Sequence, residues 1–428
     1  MSGIPAGAIV HVGGKTVLNR LQNVGLQDPK VPTQIVYETG NNLAVGKILT
    51  EADFRFQMTS WDVSTDLMAL LTGESATALG DQISGADDAG TVYKWEDVGA
   101  FNLTSPWKSN TGSQGGNIEA GVIIPNLYPT ALSYRLGVTD NAEMQVTLAS
   151  GSYFMAEKMP LEEYATGDGT TAAFQTANTA GTYRIGGAGS TNYMHVFGVM
   201  VDGVQQIPGI DYTESGGANA DVTDTKVTIT FAVIPGDGAI VKYCYFSDTA
   251  AAIPQDDNLP ASATLPAAVR GRDITLLVGD PHGTGDDAPL SLYGVQTFEL
   301  QASVSGSLLR QMGTQDPIGF ANTGIDTTGT VTIEPASIEK LFQFMSASMG
   351  IAESEVYGYI NQFTFPLTAV IHEPGGSDII KSIFVPDAFF QAPGENARVQ
   401  TVTQYPISFE SMTGTFHEVK GDLPTVGE

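Results

Sequence analysis

The chain holds one cysteine, Cys244, in the stretch YCY. One thiol cannot staple a chain to itself, so no disulfide framework is expected, and Cys244 reads as a small apolar strand position. Basic residues are also scarce. The 19 Lys+Arg stand against 47 Asp+Glu, a formal net charge of −28. A protein that grips nucleic acid displaces counterions with clustered Lys and Arg. No such run occurs here, which argues against a DNA-binding module. No stretch of about 18 apolar residues is present, so no membrane-spanning helix is expected. The opening MSGIPAGAIVHVGG lacks a basic region and a long apolar core, so it is read as no secretory signal and the chain as one folded in a cytoplasm.

Catalytic signatures are missing as well. The five histidines (11, 195, 282, 372 and 417) fall in no metal-ligand spacing and have no cysteine partners. There is no Gly-rich phosphate loop ending in Gly-Lys-Ser/Thr, and no GxSxG elbow. The pairs Asp87-Asp88, Asp256-Asp257 and Asp286-Asp287 lack the alternating oxygen ligands of a calcium loop and read as solvated turns. Trp61, Trp95 and Trp107 are too dispersed for a sugar-stacking platform, and Trp61 reads as a packing residue. The expectation is a protein that is not an enzyme, with no cofactor and no metal site.

What the chain does have is 42% hydrophobic residues, enough for packed cores. Only 15% are charged, against about 25% in an average domain. Gly, Thr, Ser, Ala, Asn and Gln fill the difference, a mix suited to strands and turns. A length of 428 residues allows two to four domains at about 150 residues each.

The chain also has an internal repeat. LQNVGLQ (21–27) recurs as VQTFELQ (295–301), a shift of 274 residues. AIVHVGG (8–14) and DITLLVG (273–279), each ending in Val-Gly, precede the two copies. FRFQMTS (54–60) places Phe54, Phe56 and Met58 on one face, as TVTIEPAS (330–337) places Val331 and Ile333. A short amphipathic helix follows each. DVSTDLMALL (62–71) is capped by Asp62, and SIEKLFQFM (337–345) by Ser337. A shift of 275 lays Asp62 on Ser337 and Leu67 on Phe342. The halves end in similar meanders (123–157 and 383–418), in which Pro125 matches Pro386 and Gln145 matches Gln400.

Residues 164–249 differ from both halves. Short strands bounded by Gly, Pro and Asp run without helical periodicity, so this is an independent all-β domain, expected as a sandwich. The Pro- and Ala-rich 250–272 reads as a linker. The expected fold is thus mainly β. Residues 1–163 and 273–428 are two copies of one domain, 164–249 is an inserted all-β domain, and 250–272 joins them.

The half-repeat, a strand pair, a polar loop, a strand, a short helix and a meander, resembles the tail tube domain of phage tails and contractile injection machines. Residues 17–73 carry most of the likeness. The insert, through GDGTTAAF (167–174), VMVDGVQQIPGIDYT (199–213) and VTITFAVIPGDGAIVKYCYF (227–246), resembles an Ig-like accessory module frequent in phage virion proteins. The resemblance implies two tandem tube-like β-sandwich or barrel domains, each with one short α-helix. It implies a structural virion protein: the major tail tube subunit of a long, non-contractile (siphovirus) tail, assembled in the host cytoplasm as stacked homotrimeric, pseudo-hexameric rings. Its partners would be itself and the tape measure, terminator and baseplate proteins, with no membrane contact. DNA would pass through the lumen during genome ejection without specific binding. By strand alternation, Asn23, Gln27, Glu143, Gln145, Thr147, Thr297, Glu299 and Gln301 would line that lumen. Two other readings stand beside this one: another structural virion component, such as a baseplate hub or capsid protein, and a glycan- or surface-binding β-protein acting through the insert.

Overall fold

The computed structural model of the chain describes residues 11–12, 21–26, 33–37, 44–49, 54–61, 66–71, 92–108, 118–138, 140–156, 158–177, 180, 183–184, 193–215, 226–247, 269–270, 273–280, 288–292, 294–310, 318–353, 355–356, 363–391 and 404–421. Along the first part run β1 (His11–Val12), β2 (Leu21–Leu26), β3 (Thr33–Tyr37), β4 (Ala44–Leu49), β5 (Phe54–Ser60), β6 (Val92–Lys94), β7 (Phe101–Lys108), β8 (Ile118–Gly137), β9 (Glu143–Ser150) and β10 (Phe154–Ala156). The middle holds β11 (Met159–Asp168), β12 (Ala173–Gln175), β13 (Tyr183–Arg184), β14 (Tyr193–Met194), β15 (Val196–Val201), β16 (Val204–Gln205), β17 (Tyr212–Ser215), β18 (Thr228–Phe231) and β19 (Asp237–Ser247). The last part has β20 (Ile274–Val278), β21 (Leu290–Leu292), β22 (Val295–Leu309), β23 (Gly319–Ile333), β24 (Thr364–His372), β25 (Ile379–Phe390), β26 (Tyr405–Ser411) and β27 (His417–Lys420). The described helical elements include α1 (Asp66–Leu71), α2 (Pro335–Met349) and a 3-10 turn at Trp95–Asp97.

The protein is mainly β, and its first and last parts are built alike. In the first, β2-β5-β9-β8 lie side by side; in the last, β22-β23-β26-β25 do. Registers repeat as well as order. Val24 faces Met58, which faces Val146. Phe298 faces Val331, which faces Ile407. Leu103 faces Ile124, as Leu367 faces Val385. Val12 faces Leu103, as Val278 faces Leu367. The irregularities recur too: a slip between Leu21 and Asn23 returns between Val295 and Thr297, and one between Phe101 and Leu103 returns between Phe365 and Leu367.

β8 and β25 are the pivots of their halves. The first part of β8 pairs with β7 and β10, and the last part with β9 and β22. Pro125 and Asn126 sit at the change of partner, and Asn126 takes a left-handed φ of 51°. A proline has no N–H for a ladder, so it suits the point where one ladder ends and another begins. Pro386 and Asp387 hold the corresponding place in β25, where Asp387 Oδ1 accepts from the Ser411 hydroxyl at 2.7 Å.

These registers correct several sequence alignments. The shift that carries Pro125 to Pro386 also carries β9 onto β26, so Gln145 corresponds to Pro406. Gln400, its expected match, lies outside the described residues. For the helices, a shift of 274 lays the buried Leu67 and Leu71 on the buried Leu341 and Met345, whereas 275 would lay Leu67 on the half-buried Phe342. Ser337 is not the cap of α2. The helix opens one turn earlier, with Glu334 as N-cap and Pro335 in the first turn, where a fixed φ and a missing N–H do no harm. At 15 residues α2 is longer than expected. Asp62 lies outside the described residues, and Trp61 is 37% exposed, so it is covered only in part.

The two halves do not keep separate cores. β8 pairs with β22, fusing both into one 16-stranded sheet around a single apolar core that includes Met58, Leu132, Phe298 and Phe409. A close-packed ring over a glycine shows how tight the core is. A Cβ on Gly329 would stand 2.3 Å from the Phe409 ring and 2.5 Å from the Glu299 carbonyl oxygen. Gly329→Val is expected to lower the unfolding free energy by about 1–3 kcal/mol. Gly324→Ala, where nothing lies within 4 Å, should leave it nearly unchanged. Urea midpoints of the two variants check this.

Candidate assembly interface

The seam between the halves is an antiparallel ladder from Thr297 opposite Gly137 to Ser303 opposite Ala131. Residues opposite one another in such a ladder lie on one face of the sheet. Side chains therefore form rows that cross the seam. One row runs Thr59, Gln145, Ser133, Gln301, Thr328, Glu410. The next runs Glu143, Arg135, Glu299, Thr330, Ser408. A third runs Gln57, Thr147, Ala131, Ser303, Asp326.

Six of the eight residues singled out from the sequence thus lie on one face. Glu143, Gln145 and Thr147 stand on β9, and Thr297, Glu299 and Gln301 on β22, all partly or fully exposed. Their neighbours Met144, Val146, Leu148, Phe298 and Leu300 are buried. Asn23 lies opposite Thr59, which places its backbone at the end of the first row. Its side chain and Gln27 lie outside the described residues. Sequence reasoning missed the strand between the two groups. Ser133 and Arg135 of β8 bridge them, and Arg135 Nε lies 3.3 Å from Glu299 Oε1. Both partners are more than half exposed, so this pair adds little stability. It does offset the positive charge of Arg135 on a face that also carries Glu143, Asp326 and Glu410.

Beneath the face the seam holds a buried polar cluster. Lys381 Nζ of β25 lies 2.6 Å from Glu418 Oε2 of β27, both without exposure. Tyr134 of β8, from the other half, donates to Glu418 Oε1 and accepts from Lys381 Nζ at 2.7 Å. The ammonium also sits 4.3 Å from the Tyr134 ring centre. Burial pushes the Glu418 carboxyl up, and Lys381 and Tyr134 pull it back. No sequence pattern marks these residues, because the three come from distant segments. A second cross-half contact lies beside them: β6 pairs with β27, with Tyr93 opposite Glu418.

The middle part of the chain forms a four-stranded sheet, β11-β19-β15-β16, and a three-stranded sheet, β12-β18-β17. They share a core that includes Phe174, Val199, Ile229, Phe231 and Val241. The four-stranded sheet starts at Met159, ahead of the expected boundary at 164. Its hairpin turn uses Asp202 and Gly203, both at positive φ (49° and 75°), as a tight two-residue turn requires. Asp168 lies in the GDG turn: its carboxylate accepts from the Thr171 hydroxyl and from the Thr170 and Thr171 amides, which lowers its pKa.

This unit is docked on the first half. Phe197, Cys244 and Phe246 pack on Ile123 of β8, with Phe154 at the edge. Burial pushes the Cys244 thiol well up, in keeping with a packing role. Asn102 of β7 donates to Glu162 Oε1 at 3.1 Å and to the Gly198 carbonyl at 2.9 Å. Gly198 has a φ of 57°, and a Cβ there would stand 2.2 Å from Asn102 Oδ1. Tyr128 stacks on Phe320 of β23, centroids 5.3 Å apart, and donates to Gln205 at 3.1 Å. Burial pushes its hydroxyl up to about 12.

Among the described residues no group of His, Cys, Asp and Glu is placed to hold a metal ion. Compared with known proteins, the chain matches no protein-family model and no curated protein.

Removing one member of the buried pair leaves the other charged and unpaired. Lys381→Met is therefore expected to destabilise the fold by about 3–5 kcal/mol, and Lys381→Met with Glu418→Leu to recover most of that loss. Chemical denaturation of the single and double variants checks both.

Proposed function

We propose that the chain is a structural virion protein, the major tail tube subunit of a tailed phage. The observation that carries this reading is the seam. Two halves with the same strand order and register join edge to edge, so that one polar face runs unbroken from one into the other. Two such domains per chain would make three chains a ring of six.

The open end of the sheet supports further growth. β2 is the counterpart of β22, which pairs with β8 across the seam. Among the described residues β2 pairs only with β5, and no described strand covers its outer edge. An unpaired edge is a template for another strand. A second copy that pairs with β2 as β8 pairs with β22 repeats the seam between chains. Repetition around an axis closes a barrel and removes the free edges. Rings related head to tail then stack into a filament through contacts that do not close.

The face described above would be the lumen. It is rich in Thr, Ser and Gln, and its acids outnumber its bases. Phosphate finds no cluster of cations there to displace its counterions, so DNA can pass without being held. The docked insert would lie outside the bore. The reading makes the chain its own principal partner, with tape measure, terminator and baseplate proteins as the other tail contacts.

Negative-stain electron microscopy with mass photometry tests this. Hollow tubes, or stackable rings of three copies, are expected; a chain that stays monomeric at every concentration would rule the reading out. Lumen polarity has its own test. Glu299→Lys with Gln301→Lys should assemble like the parent but retain DNA in a filter assay, with retention falling as salt rises. Parent tubes should retain none.

A further inference from the structure

We infer that a covalent amide bond between Lys242 and Asn102 ties the middle unit to the first half. The inference goes beyond the assembly reading and does not depend on it.

Strand registers bring the two residues to one place. Along β19, Tyr243 and Tyr245 turn into the unit's own core. Cys244 and Phe246 turn to the first half, and alternation puts Lys242 on their face. β19 lies between β11 and β15. On the β11 side, Tyr164 is opposite Lys242 and Glu162 is opposite Cys244, so Glu162 is the diagonal neighbour of Lys242. Diagonal neighbours are within reach of a long side chain. On the β15 side, Phe197 is opposite Cys244 and Met200 opposite Lys242, with Gly198 between. Asn102 of β7 reaches into this face. Its Nδ2 donates to Glu162 Oε1 at 3.1 Å and to the Gly198 carbonyl at 2.9 Å. One partner stands on each side of β19, so the amide lies across the stretch that carries Lys242.

Packing does not explain Lys242, which is 4% exposed. Lysine is almost never buried without a partner. Lys381 shows the usual solution in this chain, with Glu418 at 2.6 Å and Tyr134 at 2.7 Å. Among the described residues the Lys242 ammonium makes no ion pair and no hydrogen bond, and it sits 5.5 Å from the Tyr164 ring centre. Burial lowers its pKa, against the pull of the Glu162 charge. Lowering it favours the uncharged amine, which is the nucleophilic form.

The amide is the matching electrophile. Asn102 is 1% exposed, so water is kept from its carbonyl carbon. The Asn126 N–H donates to Oδ1 at 3.1 Å, where negative charge grows when the carbon is attacked. Glu162 is bonded to the leaving group through Oε1, and its Oε2 accepts from the Tyr164 hydroxyl at 3.2 Å. In the step, Lys242 Nζ attacks Asn102 Cγ and a new C–N bond forms. Glu162 takes a proton from Nζ and passes it to Nδ2. The Cγ–Nδ2 bond breaks and ammonia leaves. Nothing is oxidised, and no water or co-reactant is consumed. Holding amine and amide together in the folded chain supplies the proximity that this slow reaction needs.

Mass spectrometry of the full-length folded protein tests the bond. The parent should weigh one ammonia less than its sequence. Trypsin should leave the chain uncut after Lys242 and yield a branched peptide that joins residues 95–108 to 227–270. That peptide separates the bond from ring closure of an asparagine, which loses the same mass without branching. Lys242→Arg and Glu162→Gln, checked for folding by circular dichroism, should each carry the full mass of their sequences. A parent at full sequence mass overturns the bond, whatever the variants do. A mass loss that persists in Lys242→Arg, or a branch that joins other residues, overturns it as well. A branch that still forms completely in Glu162→Gln overturns the proton-carrying role of Glu162.

Discussion

The pairing of β8 with β22 is the interaction on which the rest of this structure depends. A strand satisfies only half of its backbone hydrogen bonds with one neighbour, and an unmet edge is a liability. Each half of the chain ends in such an edge. Joining one half to the other through Gly137–Ala131 and Thr297–Ser303 removes two edges at once and merges two small cores into one. Larger cores bury a greater share of their surface, so the merged body is more stable than two halves would be apart.

The seam is not interchangeable with other contacts between halves, and its buried cluster is the reason. Lys381, Glu418 and Tyr134 satisfy one another only when β8 of the first half lies against the second half in this register. A slip of one residue would turn Tyr134 to the polar face and take its hydroxyl away from the buried Lys381–Glu418 pair. No such cluster can form at the corresponding positions of the first half, where Ala120 and Met155 stand for Lys381 and Glu418. The two halves are alike in fold and distinct in the contacts that they accept.

The middle unit breaks the likeness on one side only. It covers Ile123 of the first half, whose counterpart Phe384 is half-buried beside His417. Asn102 and Gly198 fix it there with little freedom, since Gly198 leaves room for the Asn102 amide that a larger residue would take. The unit is therefore a fixed part of the first half's surface.

Much of this was present in the amino-acid sequence. Alternation at 143–148 and 297–301 determined which residues face the core and which face away, because a strand has a period of two and only one face can be apolar. The recurrence of LQNVGLQ as VQTFELQ determined that two segments adopt the same strand. Short stretches cannot reveal offset, however. Gln145 met a false match at Gln400, and Ser337 a false role as a cap, since identical letters recur by chance while hydrogen-bond registers do not. What the tertiary structure alone decided is who stands beside whom: Ser133 and Arg135 between two groups of polar residues, Tyr134 against Lys381 and Glu418, and β6 against β27. Backbone pairing is blind to side-chain identity, so a strand's pattern states how it will face but not which edge it will join.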